Sequence, residues 1–256
     1  MLLEICDLAC GYNKKAVLSG LRFSLNTGES VCILGKNGVG KTTIFKTILG
    51  VLPAISGSIR IDGIDVRKMP LRELARSVAY VPQAKSYAYP FSVLDTVLMG
   101  RAAHIGRFGA PSGKDVAYCK DVLGQIGMSR YCDQMYSKLS GGEQQMVLIA
   151  RAMAQNAAFL LMDEPASNLD FANEGRLLEL IGKLCGEGKG VLYITHSPSH
   201  ALYCGGKALL LGDSGNTFGP VSEIVTEENL SRIYGVPVTV IEEERDGKAV
   251  RACCLK

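Results

Sequence analysis

The sequence predicts an α/β fold built on a mostly parallel sheet. Three observations carry this. Residues 35–43 read Gly-Lys-Asn-Gly-Val-Gly-Lys-Thr-Thr, between a short apolar run and an amphipathic stretch. Apolar runs of strand length recur at 159–162, 191–195 and 208–211, without polar alternation. Such runs are typical of strands covered on both faces. Helical periodicity fills the segments between them.

Taken in order, the chain opens with Leu2-Leu3-Glu4-Ile5-Cys6-Asp7-Leu8, then Gly11-Tyr12, Val17-Leu18 and Leu21-Arg22-Phe23-Ser24-Leu25. These read as short strands separated by turn residues, an antiparallel β-subdomain. Residues 26–29 form a turn into the buried strand 30–34. A helix follows, opening on Thr42. A strand is expected over 57–63, a short helix over 71–75, and a strand over 78–81 stopped by Pro82. From Gln83 to about Asn156 helices take over, at 93–100, 115–126 and 143–154. Strands then return, with a crossover helix over about 173–185. The expected division is a core of about 1–82 and 157–215, a helical insert of about 83–156, and a small C-terminal tail, 216–256.

Composition excludes several classes. The 256 residues are 47% apolar and 21% charged, which suits a globular chain with an ample core. A net charge of +3 gives no argument for nucleic acid. No run approaches the ~18 apolar residues of a membrane span. The N-terminus lacks the basic region of a secretory signal, so a cytosolic chain is expected. Nine cysteines, an odd number without Cys-x-x-Cys spacing, are expected to be reduced and mostly apolar in role. His104, His196 and His200 form no ligand cluster in sequence.

Residues 35–42 fill every fixed position of Gly-x-x-x-x-Gly-Lys-[Ser/Thr], in the strand-loop-helix context that motif requires. Glycines free the backbone to turn N–H groups inward, and the helix N-terminus adds partial positive charge. Gly35, Lys36, Asn37, Gly38, Val39, Gly40 and Thr43 are expected to wrap phosphates. Lys41 is expected to reach the β- and γ-phosphates, and the Thr42 hydroxyl to ligate Mg²⁺.

A second acidic site follows the apolar strand at 159–162, which ends in Asp163-Glu164. Carboxyl ends of parallel strands face the ligand crevice. Asp163 is placed to hold Mg²⁺ through water, and Glu164 to poise a water for attack on a γ-phosphate. Tyr193-Ile194-Thr195-His196 repeats the device, with His196 at the strand end. The run Leu139-Ser140-Gly141-Gly142-Glu143 opens a helix as a capping box, Ser140 at the N-cap and Glu143 three residues on. A cap alone does not require two glycines, which expose backbone N–H groups to an anion.

Here the chain resembles the ATP-binding subunits of ATP-binding-cassette (ABC) transporters. The resemblance covers about 2–240 and rests on Leu-Ser-Gly-Gly-Glu at 139–143, the glycine loop, Leu160-Leu161-Met162-Asp163-Glu164-Pro165, Gln83, His196 and Tyr12. It implies a P-loop NTPase with a RecA-like core, ATP and Mg²⁺ as cofactors, and ATP hydrolysis. It further implies a head-to-tail homodimer in which Ser140, Gly141 and Gly142 of one copy cap the ATP on the other's glycine loop. Tyr12 would stack on adenine; Thr42 and Gln83 would ligate Mg²⁺ with Asp163 behind; Glu164 would be the base, and His196 would steady the γ-phosphate and water. Integral membrane permease subunits are implied as partners at the cytoplasmic face, with an extracytoplasmic substrate-binding protein acting indirectly. One departure is Asn168 in Ser167-Asn168-Leu169-Asp170, where the family often has alanine.

Residues 91–101, His104, 106–109 and 229–238 resemble the subgroup serving ferric siderophore, haem and cobalamin importers. Residues 84–90 would help shape the groove that receives a cytosolic helix of the permease. A soluble cassette acting on DNA or ribosomes would carry a second cassette, a coiled coil or a basic face, none of which is present in the sequence. An exporter subunit often carries its membrane spans on the same chain.

Overall fold

The structure is a computed structural model that describes residues 1–83, 90–106, 109–212, 215–245 and 248–256. In chain order the elements are β1 (Leu2–Tyr12), β2 (Lys15–Asn26), β3 (Ser30–Gly35), α1 (Lys41–Ile48), β4 (Ser56–Ile61), β5 (Ile64–Asp65), α2 (Leu71–Ser77), β6 (Val78–Val81), α3 (Val93–Leu98), α4 (Gly113–Gln125) and α5 (Gly141–Ala154). Then come β7 (Phe159–Asp163), α6 (Phe171–Gly186), β8 (Gly190–Ile194), α7 (Pro198–Cys204), β9 (Lys207–Gly212), β10 (Gly215–Pro220), α8 (Val221–Ile224), α9 (Glu227–Tyr234), β11 (Val238–Arg245) and β12 (Lys248–Leu255). The chain forms two compact units, Met1–Met69 with Leu178–Lys256, and Pro70–Leu177.

The first unit contains an antiparallel sheet in the order β2-β1-β4-β5. Leu3, opposite Leu25 and Ile61, lies in its fully buried face. β2 is one strand where two short ones were expected. Gly20 at φ 66° and a register irregularity opposite Leu8 and Cys10 let it bend without breaking. In the same unit β3 lies between β8 and β9, both parallel to it, and β10 runs antiparallel along β9. Every residue of β3 and β8 is buried, as their unbroken apolar runs predict. The last strands, β11 and β12, pair as an antiparallel hairpin within the C-terminal tail. It packs on α7, where Cys253 N–H donates to Ser199 Oγ at 3.0 Å.

The second unit carries β6 and β7, parallel in register Val81↔Met162, and the helices α2 to α5. α3, α4 and α5 each open on a serine whose hydroxyl accepts the third-residue N–H, while that residue's carboxylate accepts the serine N–H. This capping box satisfies two of the N–H groups a helix start leaves open. A 3-10 turn, Met99–Ala103, follows α3. Its Arg101 bonds Asp115 Oδ1 at 3.0 Å and the Ala154 carbonyl at 2.9 Å, tying α4 and the end of α5 to the turn. All nine cysteines are free thiols, and burial pushes the Cys10 and Cys119 thiols up to about 11. Among the described residues no helix is long and apolar enough to cross a membrane.

Candidate functional site

In the first unit the glycine loop links β3 to α1. Gly40 is the N-cap of α1 at φ 108°, a conformation that side chains rarely adopt. A Cβ there would meet Val17 Cγ1 at 2.8 Å, so both conformation and space call for glycine. Lys36, Asn37 and Gly38 are exposed, Val39, Gly40 and Thr42 half-buried, and Lys41 and Thr43 buried. The Lys41 ammonium donates to the carbonyls of Gly35 at 2.7 Å and Lys36 at 3.1 Å. A buried cation held inside a ring of backbone is a fit for phosphate, whose charge it is placed to meet. Tyr12, at the end of β1, is 43% exposed and receives a hydrogen bond from Lys46 Nζ at 3.3 Å. Hydrogen bonds from Thr43 and then Lys46 lower the pKa of its phenol.

His196 leaves the carboxyl end of β8, beside the strand that feeds the glycine loop. Ile33 pairs with Ile194, and Thr195 N–H donates to the Ile33 carbonyl at 3.3 Å. His196 is exposed. The turn that carries it is held by a residue with no role assigned from local pattern. Buried His200 places Nδ1 3.0 Å from Thr195 Oγ1, which also accepts the Ser197 N–H at 3.1 Å. Its signal was the spacing: a histidine four residues past His196, on the buried face of the next helix.

The second unit gathers the remaining residues. Asp163 and Glu164 end β7, and Gln83 follows the end of the adjacent β6. Asp163 is buried, and Tyr80 Oη donates to its Oδ2 at 3.3 Å. Burial first, then the carboxylate charge and that bond, raises the pKa of Tyr80, keeping it a neutral donor. Glu164 sits at φ 45°, an uncommon conformation for a residue with a side chain and one that recurs where a site is pre-organised. Gln83 Nε2 donates to Ser167 Oγ at 3.1 Å.

The start of α5 lies beside the same turn. A Cβ on Gly142 would stand 3.1 Å from the Asn168 carbonyl, so the second glycine of the pair lets backbone meet backbone. Ser140 and Gly141 are exposed. One turn on, fully buried Gln145 donates to the Pro82 carbonyl at 3.3 Å, holding α5 to the segment that carries Gln83. Tyr80, Gln145 and Ser167 were not singled out from the sequence. Their roles depend on which elements become neighbours, which no local pattern encodes. Residues 84–89, expected to shape a groove with Pro90, and Arg107 and Phe108 of the subgroup segment lie outside the described residues.

The ABC transporter family pattern matches residues 18–167. An uncharacterized ABC transporter ATP-binding protein of Haemophilus influenzae is 41% identical over 91% of this chain and 89% of its own. The manganese transport system ATP-binding protein MntB of Bacillus subtilis is 38% identical over 94% and 95%. A solved metal-chelate type ABC transporter in an inward-facing conformation is 31% identical, covers 99% of this chain and 97% of its own, and superposes with a TM-score of 0.88. The fold is thus that of the P-loop NTPase cassettes, as the glycine loop predicted. The chain belongs to the ABC transporter family and is an ATP-binding subunit that hydrolyses ATP with Mg²⁺.

Proposed function

We propose that the chain drives an importer of transition-metal ions or metal chelates, with ferric siderophore, haem or cobalamin as the narrower reading of its cargo. The observation that carries the reading is likeness over nearly the whole chain to a manganese transport protein and to a metal-chelate transporter. The C-terminal segment, where α9 leads into β11, belongs to the stretch that resembles the importer subgroup.

In this reading two copies meet head to tail. Tyr12 stacks on adenine, and residues 35–43 wrap the phosphates. Lys41 supplies its ammonium to the β- and γ-phosphates. Thr42 and Gln83 offer oxygens to Mg²⁺, with Asp163 behind them. Mg²⁺, when bound, neutralises charge on the phosphates. Glu164 takes the proton of the attacking water, and His196 steadies the γ-phosphate. Ser140, Gly141 and Gly142 of the other copy cap that phosphate. Gln83 moves with the segment joined to α5 through Gln145.

A permease docks on the second unit in this account. A mostly apolar cavity of about 690 Å³ there is lined by Phe91, Leu98, Met99, Ile105 and Pro111, together with Asp95. Phe91 and Met99 are exposed large apolar side chains, of the kind that a partner segment covers. Co-purification from native membranes tests the reading. Recovery of a polytopic permease, with metal-dependent stimulation of ATP hydrolysis once its binding protein is added, is expected. Recovery of ribosomal or DNA-repair proteins in place of a permease would refute it.

A further inference from the structure

We infer that Tyr131, backed by Arg130, is a positioning residue for the phosphate-capping segment 140–142, acting by holding the Glu143 carboxylate. The inference rests on the reading above that this segment caps the ATP of the other copy. A capping box uses the carboxylate of its third residue to accept the N–H of the cap. Glu143 does this through Oε2, which accepts the Ser140 N–H at 2.9 Å. Oε2 also takes the Ser140 hydroxyl, at 2.9 Å, while Ser140 Oγ accepts the Glu143 N–H at 3.3 Å. The other oxygen, Oε1, accepts the hydroxyl of Tyr131, outside the helix in the 3-10 turn Ser129–Tyr131. Arg130 Nη2 donates to that Tyr131 oxygen at 2.6 Å, and its guanidinium lies 4.7 Å from the ring centroid. Both Glu143 oxygens are therefore engaged, one inside the cap and one by an anchor.

Two consequences follow from charge and donor accounting. The Ser140 hydroxyl has one proton, now given to Glu143. To donate it to a phosphate, Ser140 must release Oε2. If Glu143 were held only by the cap, the carboxylate would be free to follow the hydroxyl toward the incoming phosphate. Two anions would then approach each other. The Tyr131 anchor keeps the carboxylate in place, and the Arg130 cation, bonded to the Tyr131 oxygen, adds a smaller attraction from the same side. Glu143 is accordingly held below the usual carboxylate range, by the Tyr131 hydroxyl first and the Ser140 N–H next. The other two capping boxes supply a contrast. Asp115 at the start of α4 is anchored by Arg101, within a structural network. Among the described residues the Asp95 carboxylate at the start of α3 bonds only Ser92.

The test is a cycle of Tyr131→Phe, Glu143→Gln and the double variant. Glutamine still caps the helix but carries no charge. Tyr131→Phe is expected to raise the KM for ATP in turnover about fivefold while leaving the nucleotide affinity of the single subunit unchanged. In nucleotide-free protein it should speed amide exchange at residues 140–144 about tenfold. The double variant should return KM to within about twofold of Glu143→Gln alone, because no charge is left to hold. Unchanged KM and exchange in Tyr131→Phe overturn the inference. So does a KM loss that Glu143→Gln fails to repair, which would make Tyr131 a packing residue. Wild-type turnover strictly proportional to protein concentration would strike the two-copy reading, and nucleotide-free exchange at 140–144 would still decide whether Tyr131 anchors the helix start.

Discussion

Lys41 shows how far one side chain defines the chemistry. It is 6% exposed, and its ammonium is turned onto two carbonyls of its own loop. A buried cation is costly unless its protons are taken. In the proposed complex phosphate oxygens take that place. Lys41→Ala should weaken ATP binding about tenfold or more. Direct titration checks this, and unchanged affinity would remove Lys41 from the phosphate site. The motif residues themselves were legible, because a glycine loop, an acid pair and a serine-glycine-glycine run are local patterns with local physical reasons. Tyr80, Gln145 and Ser167 were not. Each gives or takes a hydrogen bond across a gap in sequence that only the fold closes, the Gln145 bond spanning 63 residues to Pro82.

Among the elements, strands were easier to read than their joins. β3, β7 and β8 are buried throughout, so a continuous apolar run was a sufficient signal. The break expected within β2 did not occur, since Gly20 absorbs the irregularity inside the strand. The hairpin of β11 and β12 shows no clear apolar alternation in sequence, because Glu242, Glu243 and Glu244 are exposed on both faces of β11. The capping box at the start of α5 was legible, but the same arrangement at α3 and α4 was not read, and α4 begins two residues before the expected start at Asp115. At α4, Asp115 accepts the Ser112 N–H at 2.9 Å and hydroxyl at 2.6 Å, besides its Arg101 contact. The Ser112 side chain, then its backbone, then Arg101 hold the Asp115 pKa at about 2. The folded value thus lies below the unfolded one, near 3.9. This stabilisation is present above the unfolded value and is lost as pH falls through about 2. The stability difference between wild type and Asp115→Asn, measured by urea unfolding, should hold constant from pH 7 to about 5 and shrink below about 4. A difference that persists undiminished below pH 4 would contradict this origin.

For the whole molecule, both units obey one rule. Most of their candidate site residues leave the carboxyl ends of parallel strands: residues 35–43 after β3 and His196 after β8 in one, Gln83 after β6 and Asp163-Glu164 at the end of β7 in the other. The resemblance named the family because these motifs are specific and fall in the family's order. Cargo was not legible, since the motifs of this chain address ATP and carry no signal for what is transported. What the chain does encode is the hydrolytic step, with Glu164 proposed as its base. The most direct measurement is ATP binding and turnover in Glu164→Gln. Glutamine preserves shape and hydrogen bonding but takes no proton. Binding should match wild type, turnover should fall about a hundredfold or more, and ATP should now accumulate the dimer in sedimentation. Turnover within about tenfold of wild type would contradict the assignment of Glu164 as the base.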